Sequence, residues 1–117
     1  MENYLWNAIP LQSLPIAKRR DQVPDFLGSI IDRAIESLEV HRIWIFGSRA
    51  RGDAHKLSDY DLAFEFPMDK MSQWGAFAQE ALDKSQTLLP IDLVNYALAS
   101  ETLQKKIQVE GIILYER

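Results

Sequence analysis

The stretch Arg42-Ile43-Trp44-Ile45-Phe46-Gly47-Ser48-Arg49-Ala50-Arg51-Gly52 and, after a polar loop, Ser58-Asp59-Tyr60-Asp61-Leu62-Ala63-Phe64-Glu65-Phe66 decides how this chain is read. Arg42 to Phe46 is a short run of β-branched and aromatic residues ended by Gly47, which predicts a buried strand. Tyr60 to Phe66 is a second such run, closed by Pro67. Between them, residues 48–54 predict a helical turn, and Asp53 to Ser58 a polar loop.

On the N-terminal side, Pro24 and Asp25 open a helix. In it Leu27, Ile30, Ile31, Ala34, Ile35 and Leu38 recur at helical spacing through Glu39. On the C-terminal side, Met71, Trp74, Phe77, Ala78, Ala81 and Leu82 mark a second amphipathic helix over about 69–86. Pro90 introduces a third strand, Ile91 to Tyr96, and Ser100 is a good N-cap for a helix carrying Leu103 and Ile107. Gly111 ends that helix, and Ile112 to Tyr115 add an edge strand. The order α-β-β-α-β-α-β gives an α/β (α+β) fold, a small mixed sheet flanked by helices. Residues 1–22, with Pro10, Pro15 and the cluster Lys18-Arg19-Arg20, read as an irregular arm from which Leu5 and Trp6 can dock. Residues 23–117 read as the domain.

The chemistry gathers at Gly47-Ser48 and Asp59-Tyr60-Asp61. Side chains two apart on a strand share a face, so Asp59 and Asp61 project together. Two adjacent carboxylates resist joint ionisation unless a cation lies between them. Oxygen ligands of this kind suit Mg²⁺ or Mn²⁺. A third acid, Asp92, stands in the apolar run Ile91-Asp92-Leu93-Val94, where burial is costly without a partner or a metal. If the third strand lies beside the second, Asp92 completes the site or accepts the proton of an attacking hydroxyl. Gly47 permits a tight turn and close backbone approach, and the Ser48 hydroxyl adds a donor. Arg49 and Arg51 follow and are placed to neutralise a triphosphate.

Singly, these residues have plain alternatives: Asp59 as a loop residue, Asp61 as a solvent-facing strand residue, Ser48 as a cap, the arginines as surface charge. The combination outweighs them. His41 and His55 read as structural or solvated. Trp44, Trp74 and Phe77 read as core, and Tyr60 as packing on the face opposite the acids. Lys18-Arg19-Arg20 reads as a solvated stretch. Asp53 reads as stabilising its turn, and Glu65 receives no role.

The chain has 117 residues, 47% of them apolar and 26% charged, and a formal charge of −4. These values suit one globular domain and argue against a general nucleic-acid binder, so no direct nucleic-acid binding is expected. There is no cysteine, which excludes disulfides and thiolate zinc sites and fits a cytoplasmic location. No apolar run is long enough to span a bilayer, and Met1 to Pro10 do not read as a secretory signal.

The stretch Phe46 to Asp53, continued by Ser58-Asp59-Tyr60-Asp61-Leu62, resembles the nucleotidyltransferases of the DNA polymerase β superfamily. Their signature is Gly-Ser, a spacer, Asp-x-Asp and a third Asp on a later strand. The spacer of residues 49–58, the short chain and the ending Glu110-Gly111-Ile112-Ile113-Leu114-Tyr115-Glu116 resemble the minimal nucleotidyltransferase branch, in which many members are antitoxins of HEPN-domain toxins. The resemblance covers roughly 24–117. It implies that Asp59, Asp61 and Asp92 hold two Mg²⁺ ions, that Gly47 and Ser48 hold the β- and γ-phosphates of ATP, and that AMP passes to a tyrosine of a HEPN partner. Two alternatives stand beside it: a transferase acting on a small molecule, and an antitoxin that works by binding alone.

Overall fold

The described chain, residues 11–85 and 87–117 of a computed structural model, alternates helices and strands much as the periodicity predicts. It runs α1 (Ile16–Arg19), α2 (Asp25–Leu38), β1 (Arg42–Phe46), α3 (Ser48–Arg51), β2 (Tyr60–Glu65), α4 (Trp74–Asp83), β3 (Ile91–Asn95), α5 (Glu101–Glu110) and β4 (Ile112–Glu116), with short 3-10 turns between. The strands form one mixed sheet in the order β3-β2-β1-β4. β1 is antiparallel to both neighbours, whereas β3 runs parallel to β2.

The strand period of two divides the core. Ile43, Ile45, Tyr60, Leu62 and Phe64 pack with the buried stripe of α2 (Leu27, Ile30, Ile31, Ala34, Leu38) and with Phe77 and Ala81 of α4. Trp44, Phe46 and Ala63 face the other way, against Ile107 of α5. Both faces of the central strands are therefore covered, which is why β1 and β2 read as continuous apolar runs. Asp61 lies one step from Leu62 and so belongs to the α5 face. That assignment decides which helix meets the acids.

Local signals explain the element ends. Leu103 N–H donates to Ser100 Oγ at 3.1 Å, capping α5 as its sequence predicts. Gly111 N–H donates to the Ile107 carbonyl at 2.8 Å. Gly111 is not left-handed; a Cβ there would overlap the Ile107 carbonyl oxygen, so close approach is what requires glycine. The helix expected over 69–86 is shorter, with 3-10 turns at Met68–Gln73 and α4 from Trp74 to Asp83. The third strand stops at Asn95 because Tyr96 starts a turn.

Part of the expected irregular arm is ordered into the fold. Leu11 is fully buried in the main core, and Ile16–Arg19 is helical. Arg19 donates to the carbonyls of Ile113 (2.9 Å) and Leu14 (3.1 Å), while Arg20 pairs with Asp32 at 2.6 Å. The arginines of this cluster thus spend their donors on the protein rather than on solvent. Leu5 and Trp6 lie outside the described residues. Among the described residues no helix is long and apolar enough to cross a membrane.

Candidate active site

The end of β1 and the starts of β2 and β3 meet at one end of the sheet. Gly47, directly after β1, has φ 76° and ψ −156°, a region essentially closed to residues with a side chain. A Cβ at Gly47 would overlap Asp61 Oδ2. The glycine therefore brings the backbone against the carboxylate as well as turning the chain. The Ala50 and Arg51 N–H groups donate to the Gly47 carbonyl, starting α3. Gly47, not Ser48, occupies the cap position, and Ser48 lines the open cleft beyond it.

Asp59 precedes β2 by one residue and Asp61 is the second residue within it. Asp61 pairs in register with Asp92 on the parallel neighbour β3, so their side chains leave the sheet on the same face. Burial, then the charge of Asp92, then that of Asp59 push the Asp61 carboxyl above the usual carboxylate range; Lys106 and Arg51 partly offset this. Asp92 is exposed, contrary to the expectation of a buried acid, because β3 is an edge strand. The desolvated member of the trio is Asp61. Among the described residues no three Asp, Glu, His or Cys side chains are gathered tightly enough, as they stand, to share one ion. The oxygen-only donor set and the neighbouring carboxylates that raise Asp61 nevertheless suit a hard divalent cation, and Asp59 and Asp92 are exposed.

Asp59 and Asp61, but not Asp92, line a cleft of about 510 Å³. Its walls are Gly47, Ser48 and Arg51 on one side, and His55, Leu57 and Ser58 of the loop on another, with Asp59, Asp61 and Lys106 completing it. Arg51 is partly exposed and pairs with Asp53 (3.1 Å) and Glu110 (3.0 Å). Exposed pairs of this kind are weak and screened by solvent, so a phosphate can displace them. Lys106 was not singled out from sequence. Its one available signal is position, the residue before buried Ile107 on α5, and that becomes informative only once α5 is known to cover the Asp61 face. His55, exposed as expected, lines the cleft; its Nδ1 accepts from Leu57 N–H at 3.3 Å within the loop that forms the wall.

Arg49 departs from its expected place. It is fully buried and absent from the cleft wall. Its Nη2 donates to the Ser58 carbonyl at 2.8 Å, and its guanidinium lies 4.0 Å from the centre of the Tyr60 ring. A group so placed cannot meet a triphosphate in this cleft, contrary to the nucleotide-binding role expected of Arg49. The physical reason lies in α3: successive helical residues point about 100° apart, so Arg49 turns inward while Ser48 and Arg51 face the cleft.

Residues 29–117 match the family described as "Polymerase beta, Nucleotidyltransferase". The chain is 33% identical over 79 residues to the "Probable protein adenylyltransferase MntA" of Haemophilus influenzae (strain ATCC 51907 / DSM 11121 / KW20 / Rd), an alignment covering 66% of this chain and 68% of that protein. It is also similar to a crystal structure of a toxin–antitoxin with AMP-PNP, at 29% identity and TM-score 0.56 over 75% of this chain and 71% of the other. A mutant form of the toxin–antitoxin MntA–HpeT superposes with TM-score 0.60 at 26% identity, covering 78% and 72%. A Sulfolobus solfataricus structure at 18% identity shares the fold, with TM-score 0.53 and 87% of each chain covered. The Gly-Ser turn, the Asp-x-Asp strand and the mixed sheet agree with these matches, and the chain belongs to the polymerase β nucleotidyltransferase family.

Proposed function

We propose that this chain moves AMP from ATP onto a protein hydroxyl, a tyrosine of a partner HEPN-domain toxin, and acts in the cytoplasm as that toxin's antitoxin. The observation that carries the proposal is a desolvated Asp61, flanked by Asp59 and Asp92, in a cleft also lined by Arg51 and Lys106. The similarity to a protein adenylyltransferase and to toxin–antitoxin structures supports the choice of acceptor. Residues 23–117 are proposed as the catalytic unit, with 11–22 packed onto it.

Asp59, Asp61 and Asp92 would hold two Mg²⁺ ions, and Mn²⁺ suits the same oxygen donors. When bound, such ions supply charge stabilisation for displacement at phosphorus. The remaining work belongs to the chain. The backbone at Gly47 and the Ser48 hydroxyl receive the β- and γ-phosphates, and Arg51 and Lys106 neutralise them. Asp92, exposed at the sheet edge, would take the proton of the attacking hydroxyl. The new bond joins the acceptor oxygen to the α-phosphorus; the bond from that phosphorus to the bridging oxygen breaks, and pyrophosphate leaves.

The test uses the chain, ATP, Mg²⁺ and the product of the adjacent gene, read by intact mass. The partner should gain the mass of one or more AMP units, and Asp59→Asn with Asp61→Asn should abolish the gain. An unmodified partner that is still fully neutralised by the double variant would make the chain a binding antitoxin. A small-molecule acceptor in place of the protein would support the other alternative.

A further inference from the structure

Arg49 has a larger part in this site than its burial suggests. Its side chain runs under the loop that carries Asp59. Nη2 donates to the Ser58 carbonyl at 2.8 Å and approaches the Lys56 carbonyl at 3.5 Å. The flat guanidinium stacks 4.0 Å from the Tyr60 ring centre, and that ring is itself fixed edge-on by Phe26 of α2 at 5.1 Å. Arg49 therefore grips the residue before Asp59 and the residue after it. Its charge is also close enough to attract the Asp59 carboxylate.

Stability alone does not account for this arginine. Among the described residues its Nε and Nη1 have no hydrogen-bond partner, although the side chain is fully buried. Burying a cation with donors unsatisfied is costly, and an apolar side chain of similar volume often fills such a space at no loss. What an apolar side chain cannot do is hold two loop carbonyls, lie flat on an aromatic ring and keep a positive charge behind an acid.

We infer that Arg49 is a positioning residue: it locks the Lys56–Asp59 loop so that the Asp59 carboxylate stands beside Asp61 in the geometry that divalent-ion binding and transfer require. This rests on the reading of the site given under Proposed function. It separates Arg49 from Arg51 and Lys106, which face the cleft.

The test compares the full-length protein with Arg49→Met and Arg49→Lys. Folding is checked by circular dichroism, and if Arg49→Met does not fold, Arg49→Lys carries the comparison. Lysine keeps the charge and can still donate to a loop carbonyl, but it loses the flat stacking. With ATP and the partner protein, kcat should fall about 100-fold for Arg49→Met and less for Arg49→Lys, a loss of the size a misplaced catalytic group causes. KM for ATP should stay within about threefold, since the phosphate contacts are intact. Two readouts do not need activity. Amide exchange at residues 56–59 should accelerate in the variants while β1 amides are unchanged, and the Mn²⁺ dissociation constant from titration calorimetry should rise about tenfold, the loss expected for a disturbed supporting shell. Wild-type exchange and Mn²⁺ affinity in a folded variant would overturn the inference, as would a rise in KM with kcat unchanged. If the wild type transfers nothing, the proposed function fails, and the exchange and Mn²⁺ comparisons still decide the role of Arg49.

Discussion

Gly47→Ala should damage both the fold and the site, and the two effects can be separated. The backbone at Gly47 has φ 76° and ψ −156°. Holding alanine in so sparsely populated a region costs about 1–3 kcal/mol. In a domain of this size that corresponds to a fall in Tm of about 4 °C per kcal/mol, or about 4–12 °C. A second cost comes from overlap between the new methyl group and Asp61 Oδ2. Relief requires the carboxylate to move, so transfer activity should fall as well. A double-mutant cycle in urea divides the costs. In an Asp61→Ala background the overlap is gone but the strain remains, so Gly47→Ala should be less destabilising there, by about 1 kcal/mol. A Gly47→Ala protein within 0.5 kcal/mol of wild type, roughly the ordinary surface range, would refute the strain argument. An equal cost in both backgrounds would refute the contact with Asp61.

Further expectations follow from the same geometry. The folded Asp61 carboxyl is raised above its unfolded value, so the folded state binds its proton more tightly. That contribution is greatest below the unfolded pKa and is lost as pH rises through the folded one. In EDTA, Asp61→Asn should therefore be more stable than wild type at neutral pH, and the difference should vanish in acid; urea melts across pH check the sign. Arg51→Ala and Lys106→Ala should each raise KM for ATP about tenfold, as expected for loss of one charge-assisted hydrogen bond to phosphate, with little change in Tm. Leu11→Ala should destabilise the protein by about 2–5 kcal/mol, because Leu11 is fully buried. A neutral result in a thermal melt would remove residues 11–22 from the folded unit.

What could be read before the structure was whatever depends on local periodicity. Helical spacing located α2, and the continuous apolar runs located β1 and β2, because both faces of the central strands are covered. The Gly-Ser turn and the Asp-x-Asp strand were legible as a motif, since turn chemistry and same-face alternation are encoded within a few residues. Features set by tertiary neighbours were not. Arg49 and Arg51 look equivalent in sequence, yet one is buried beneath the Asp59 loop and the other lines the cleft. Asp92 looked buried because its strand is apolar, but position at the sheet edge leaves it exposed. Lys106 needed the knowledge that α5 covers the Asp61 face. Arg19 and Arg20 looked solvated because their acceptors, the Ile113 carbonyl and Asp32, are distant in the chain.

The most direct test of the central claim follows which phosphate of ATP reaches the partner. ATP radiolabelled on the α-phosphate should label the partner protein, release pyrophosphate, and fail to do so with Asp59→Asn and Asp61→Asn. Label transferred from the γ-phosphate instead, or α-label transfer undiminished in the double variant, would contradict the account.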